Sequence, residues 1–242
     1  QAAIRRQIST PAKHDDTDMM ESHVLPRVAL FDRVINSKDN QEAKENYLNW
    51  HKGSFLTLAA LDTGRDADQV ADLRAELKRQ TLSYLAGEMG YPKPGDDGAH
   101  TLDLLARLNL PIYITTSPFD LLERAIAANG RPDVRTQICF WRGAEPLRWV
   151  NEAHRTDYAF MPSAETPLVY HMFGLEAYPD SMVLSEDDYL DFLTAIARDT
   201  DQTKPILPLY LRQAITRSSL LLMGYRLRAA AFRVLFRGLR NA

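Results

Sequence analysis

Apolar positions change their period halfway along the chain. Up to about residue 100 they recur at helical spacing; beyond it, short apolar runs alternate with helical stretches. Residues 1–20 are polar, with Lys13, His14, Asp15 and Asp16 in the middle, and predict a mobile arm. Val28, Leu30, Phe31, Val34 and Ile35 predict a helix over 24–35. Tyr47, Trp50, Phe55, Leu56 and Leu58 predict a second over 42–61. Val70, Leu73, Leu77, Leu82 and Leu85 predict a third over 66–85. Tyr91 to Gly98 carries every turn signal. A short helix over 101–108 then hands over to the first strand.

That strand opens the second half. Ile112 to Ile114 is short, apolar and β-branched, as a buried parallel strand should be. Thr115, Thr116 and Ser117 form a polar elbow. Pro118 suits a first helical turn, and Ser117 with Asp120 has capping-box-like spacing. Leu121, Leu122, Ala125 and Ile126 give the helix its apolar face, and Asn129-Gly130 ends it. Further strands are expected over 136–141, 167–170 and 218–223, with 181–184 short and extended. Residues 142–166 are irregular and charged. A helix opens at Ser185 with a second Asp-bearing capping box, and Tyr189, Phe192, Leu193 and Ile196 form its buried face. Helices are also expected over 205–216 and 229–239.

Strands alternating with helices predict an α/β, Rossmann-like parallel sheet, preceded by a helical region. The expected organisation is an arm (1–20) and a single domain (21–242). That domain has a helical part (21–100) and a parallel-sheet part (101–242). In such a sheet the carboxyl ends of strands share one edge, where ligands bind. Three strand ends carry small or polar residues: Thr115 to Ser117, His171 to Gly174, and Gly224 to Leu227. Their convergence on one crevice is the main functional expectation.

Composition narrows the classes. The net charge of −3 gives no basic field for nucleic acid. The lone Cys139 precludes an intrachain disulfide and a cysteine-based zinc site, which fits a reducing, cytoplasmic setting. No apolar run approaches the roughly 20 residues of a membrane span. The chain begins at Gln1 without an initiator Met, which predicts a fragment or a processed chain.

Candidate chemistry is sparse. There is no phosphate-binding glycine loop of the Walker or G-x-G-x-x-G type, and no G-x-S-x-G. Gly174 and Gly224 would let a ligand approach the backbone, and Arg226 could meet a phosphate. His171 is the histidine expected at a strand end, where it is either a base or a buried residue with a backbone partner. His14, His23, His51, His100 and His154 fall in the tail, helices or loops, without metal-ligand spacing, and no metal is expected. The acids of Glu186 to Asp188 suit a helix N-terminus better than a cation. The basic, aromatic C-terminal stretch predicts a solvated face or a subunit contact.

The same strand ends resemble the bacterial sirtuin-like domain family, many of whose members bind or hydrolyse NAD in antiphage defence. Ile112 to Ala125 is similar to the family's Thr-Thr-Asn-Tyr-Asp segment, which is followed by Leu-Leu-Glu. Val169 to Gly174 is similar to its Tyr-Lys-Leu-His-Gly strand end. Asp180 to Leu193 is similar to its Asp-Ser-Leu-Val-Leu-Thr-Glu-Asp-Asp-Tyr stretch. Leu221 to Arg228 with Phe232 to Gly238 resembles its last strand and helix. The four segments, in order, span about residues 105–240.

The resemblance implies NAD lying across the strand ends. Thr115 and Thr116 would line ribose and phosphate, and Asp120 would help hold ribose. Gly224 and Tyr225 would sit near the adenosine half. Ser117 stands where the family has the asparagine that handles the nicotinamide ribose. Phe173 stands where it has the histidine base. His171, two residues earlier, would share a strand face with Phe173 and becomes a candidate substitute base. Ala229 to Ala231 falls where the family commonly has Asp-Trp-Asp. The glycine-rich first turn either lies upstream of Gln1 or has been lost. The readings left open are an NAD hydrolase and an inactive NAD- or ADP-ribose-binding module. The third is an assembly domain, as a homo-oligomer or joined to partner defence modules.

Overall fold

A computed structural model of the chain describes residues 40–65, 67–91, 101–142, 150–199 and 205–224, with Arg233, Phe236 and Arg237. The expected arm, the helix over 24–35 and the turn-rich loop after Tyr91 lie outside these residues. So does most of the closing helix.

The helical region comprises α1 (Asn40–Thr63), α2 (Ala67–Ala75), α3 (Leu82–Glu88) and α4 (Thr101–Arg107). The single helix expected over 66–85 is two helices. Turns at 76–80 interrupt it, and the Thr81 side chain accepts the Tyr84 N–H to start α3 afresh. Leu56 and Ala59 of α1, Val70 of α2, and Leu85 with Met89 at the end of α3 bury against one another.

Three strands follow: β1 (Ile112–Thr115), β2 (Arg135–Ile138) and β3 (Leu168–His171). They are all parallel, in the order β1-β3-β2. The helix α5 (Leu121–Ala128) carries the chain from β1 over β3 to β2. The helices α6 (Glu186–Ala197) and α7 (Leu209–Arg217) complete the described elements. Register pairs Thr115 with His171 and Ile138 with His171, so the carboxyl ends of all three strands finish level.

Alternation along β3 sorts the two faces. Leu168 and Tyr170 pack with Phe192, Ile196, Leu211 and Ile215 of α6 and α7. Val169 packs on the other side with Ala106 of α4 and Ala125 and Ile126 of α5. The result is an α/β, Rossmann-like layering with helices on both sides of the sheet. The capping box expected at Ser185 forms. Asp188 returns the bond to the Ser185 N–H at 3.2 Å, and its carboxylate also takes Lys44 from α1 at 3.0 Å and Arg142. One buried acid thereby ties α1 and the segment after β2 to the start of α6.

Residues 218–223 do not form the expected strand. Leu220 to Met223 are exposed and lie outside the sheet. An apolar run becomes a strand only where a neighbouring edge takes its N–H and C=O groups, and no described strand does so here. The helix expected from Pro205 starts at Leu209. Pro205 and Pro208 delay it, and the Pro205 and Ile206 carbonyls accept from Tyr158 and Tyr170 at 3.1 and 3.0 Å.

Candidate functional site

The elbow between β1 and α5 is shaped by its own hydroxyls. The Ser117 N–H donates to Thr115 Oγ1 at 3.0 Å, and the Phe119 N–H to Ser117 Oγ at 3.4 Å. These side-chain turns satisfy the backbone without helix, so α5 begins at Leu121 rather than near Pro118. Asp120 is its N-cap residue but makes no cap bond. One oxygen takes Arg124 at 3.3 Å, and Oδ1 is buried without a hydrogen-bond partner among the described residues.

His171 closes the elbow from β3. The ring is fully buried. Nδ1 lies 2.8 Å from the Ser117 carbonyl, and Nε2 lies 2.6 Å from Glu123 Oε1. A carbonyl only accepts, so Nδ1 carries a proton. A second proton lies between Nε2 and Oε1, either as an imidazolium–carboxylate pair or as a neutral ring facing a neutral acid. Both ring nitrogens are engaged, so His171 presents no lone pair to the crevice. Thr136 of β2 adds a bond to Glu123 Oε1 at 3.2 Å, and Glu123 Oε2 is buried without a partner among the described residues.

The sequence reading put Phe173 and His171 on one face; the structure separates them. β3 ends at His171, and the chain turns at Met172. Phe173 therefore swings to the opposite side, with ring centroids 5.9 Å from Tyr189 and 5.3 Å from Phe192. Gly174 has φ +83, and a Cβ there would lie 2.3 Å from the Ser181 carbonyl oxygen. The space it leaves is filled by Ser181. Gly224 follows the segment 218–223, at φ +74, with nothing within 4 Å of a Cβ there among the described residues. Tyr225 and Arg226 lie outside the described residues.

Thr115 and Thr116 are half-buried beside the exposed Ser117. Three further groups lie outside the expected site residues. His51 of α1 stacks on Phe119 of the elbow, centroids 5.6 Å apart, and burial lowers its pKa. His154, from a 3-10 turn at Glu152–His154, places Nδ1 3.0 Å from Tyr178 Oη. It lies within electrostatic reach of Glu123, His171 and Asp120. Glu176 is buried, accepts the Leu82 N–H at 2.7 Å and sits 3.6 Å from Lys52. Its own N–H donates to the Pro118 carbonyl at 2.9 Å. Burial pushes its acid up to about 7. Glu123 had a legible signal: it stands three residues before Ile126, so it shares the helix's buried face and must pair there. His154 and His51 had none, because their neighbours come from distant segments.

No group of three or more histidine, cysteine or acidic side chains among the described residues is placed to hold a metal ion. No helix among them is long and apolar enough to cross a membrane.

A parallel strand running through a polar elbow into a helix, beside a second strand end, is the ligand-binding edge of a Rossmann-like domain. A family model described as SIR2-like domain matches residues 111–242, more than half of the chain. The chain belongs to the SIR2-like domain family, whose domains are NAD-related. No curated protein and no solved structure matches it.

Proposed function

We propose that this SIR2-like domain binds NAD across the carboxyl ends of β1 and β3 and hydrolyses its nicotinamide–ribose bond. The observation that carries the reading is Asp120 Oδ1 at the N-terminus of α5, buried without a hydrogen-bond partner among the described residues, three residues after the exposed Ser117. A buried carboxylate oxygen without a donor suits a ribose hydroxyl, and a serine hydroxyl can serve the same sugar. Thr115 and Thr116 line the ribose and phosphate side. Gly174 shapes the β3 turn, Gly224 and Tyr225 are assigned by resemblance to the adenosine half, and Arg226 offers a guanidinium to a phosphate. His171 was the candidate base. With both nitrogens engaged, it instead holds the elbow through the Ser117 carbonyl.

A second reading, binding of NAD or ADP-ribose without turnover, is favoured by Phe173. The family's base position is a phenylalanine packed between Tyr189 and Phe192. An effector or sensor role in antiphage defence, a cytoplasmic site and homo-oligomerisation or partner modules follow from the resemblance. Incubating the purified chain with NAD and assaying free nicotinamide separates the readings. Release supports hydrolysis. Binding of ADP-ribose without release supports the second reading, and the absence of both defeats the two together.

A further inference from the structure

We infer that His171, held by Glu123, is a positioning residue for the ribose-binding lip: its bond to the Ser117 carbonyl sets where the Ser117 side chain stands. The inference rests on the reading above that the elbow binds the ribose of NAD, and it does not require hydrolysis.

The Met172 N–H still reaches the Thr115 carbonyl at 2.8 Å, as the end of the β1–β3 ladder. The next residues of the elbow are held in other ways. The Ser117 carbonyl faces His171 Nδ1 at 2.8 Å, and the Pro118 carbonyl accepts the Glu176 N–H at 2.9 Å. The Phe119 ring stacks on His51 with centroids 5.6 Å apart. Three consecutive elbow residues are thus braced by three separate segments. Of the two carbonyl braces, only the one from His171 is made by a side chain, so only that one can be removed by substitution.

The direction of the His171 bond follows from its partner. A carbonyl has no proton to give, so Nδ1–H donates to Ser117. The Ser117 N–H is committed too, to Thr115 Oγ1 at 3.0 Å. A residue has two soft backbone torsions, and tying both its N–H and its C=O fixes them together with the direction of the Cα–Cβ bond. Only χ1 then remains, and the Phe119 N–H on Ser117 Oγ at 3.4 Å selects it.

The ring that makes this bond is itself immobilised. His171 lies in β3, the central strand, and is fully buried. Its Nε2 sits 2.6 Å from Glu123 Oε1, and the same oxygen accepts from Thr136 Oγ1 at 3.2 Å. Thr136 of β2, Glu123 of α5 and His171 of β3 therefore form one line of contacts that ends on the elbow carbonyl. With both ring nitrogens held, the imidazole cannot turn, and the sheet decides where its donor stands. A ligand then meets a lip already in place, and none of its binding free energy goes into ordering it.

Two substitutions separate the two ring bonds. The amide nitrogen of asparagine stands as many bonds from Cβ as Nδ1, so His171→Asn keeps a donor for Ser117 and gives up Glu123. The amide nitrogen of glutamine stands as many bonds from Cβ as Nε2, so His171→Gln keeps Glu123 and leaves the Ser117 carbonyl without its donor. Both substitutions weaken the core. ADP-ribose is therefore titrated calorimetrically into each chain well below its thermal midpoint, where only folded protein is measured. Histidine-ring NMR of wild type accompanies the titrations. His171→Gln should weaken ADP-ribose binding by about tenfold, the worth of about one hydrogen bond, and His171→Asn by less than about threefold. In wild type, ADP-ribose should shift the His171 ring resonances. Equal weakening in the two variants, or none in His171→Gln, overturns the positioning role and leaves the ribose site standing. Wild-type His171 resonances indifferent to saturating ADP-ribose do the same, and that result needs neither variant to fold. A folded wild-type chain that binds no ADP-ribose defeats the ribose reading and the role of His171 together.

Discussion

Glu176→Gln should make the folded chain more resistant to alkaline pH. Glu176 lies where the helical region meets the elbow: its carboxylate accepts from the start of α3, and its N–H holds the Pro118 carbonyl. Burial raises its acid from the ordinary 4.5 to about 7. The folded chain therefore keeps a proton that the unfolded chain releases between those values. For a raised acid, the stabilising contribution is complete below pH 4.5 and is lost as pH rises through 7. At about 1.4 kcal/mol per pH unit over that window, the loss is about 3 kcal/mol by pH 8. Glutamine stays neutral throughout and can still accept the Leu82 N–H, while Lys52 keeps the Gln80 carbonyl at 2.7 Å. Urea unfolding of both proteins at pH 4, 5, 6, 7 and 8 reads the difference directly. The stability of Glu176→Gln relative to wild type should rise by about 3 kcal/mol from pH 4 to pH 8. A difference that stays flat across the series would refute the reasoning, because it would mean that the carboxyl ionises in the fold as it does in water.

Glu123→Ala leaves Nε2 of a fully buried His171 without its partner and should destabilise the chain by about 3 kcal/mol in the same urea assay; a loss under about 1 kcal/mol would contradict the pairing. Gly174→Ala forces a side chain into a left-handed conformation and against the Ser181 backbone, so its thermal midpoint should drop sharply. An unchanged midpoint would show that the turn is looser than described. Asp188→Asn removes the charge shared by Lys44 and Arg142 and should cost about 3–5 kcal/mol, whereas a cost near zero would show that this network is solvated. Ser117→Asn restores the family's amide at an exposed position and should raise nicotinamide release by roughly tenfold, the worth of about one added hydrogen bond. Unchanged or lower release would place the nicotinamide ribose elsewhere.

Local signals carried well where one segment decides its own structure. The β-branched run of β1, the Asn129-Gly130 stop and the Ser185–Asp188 capping box all formed as their residues dictate. Signals failed where the outcome depends on a distant partner. Ser218 to Met223 has the composition of a strand but no paired edge among the described residues. Thr81 split a continuous helical pattern because its hydroxyl caps a new turn more favourably than it continues the old one. The two-residue rule linking His171 and Phe173 holds only inside a strand, and β3 stops between them. The elbow's supporting acids and histidines come from α1, α3, α5 and the segments around residues 154 and 176. Their meeting is a property of the packed chain and not of any stretch of sequence.

The central claim is that the elbow from Thr115 to Asp120 is the ribose-binding lip of an NAD site. Calorimetric titration of ADP-ribose into the purified chain tests it most directly. Saturable one-to-one binding, weakened about tenfold by Asp120→Ala as a charged hydrogen bond is lost, is the result expected. No heat from a folded wild-type chain, or binding indifferent to Asp120→Ala, would contradict it.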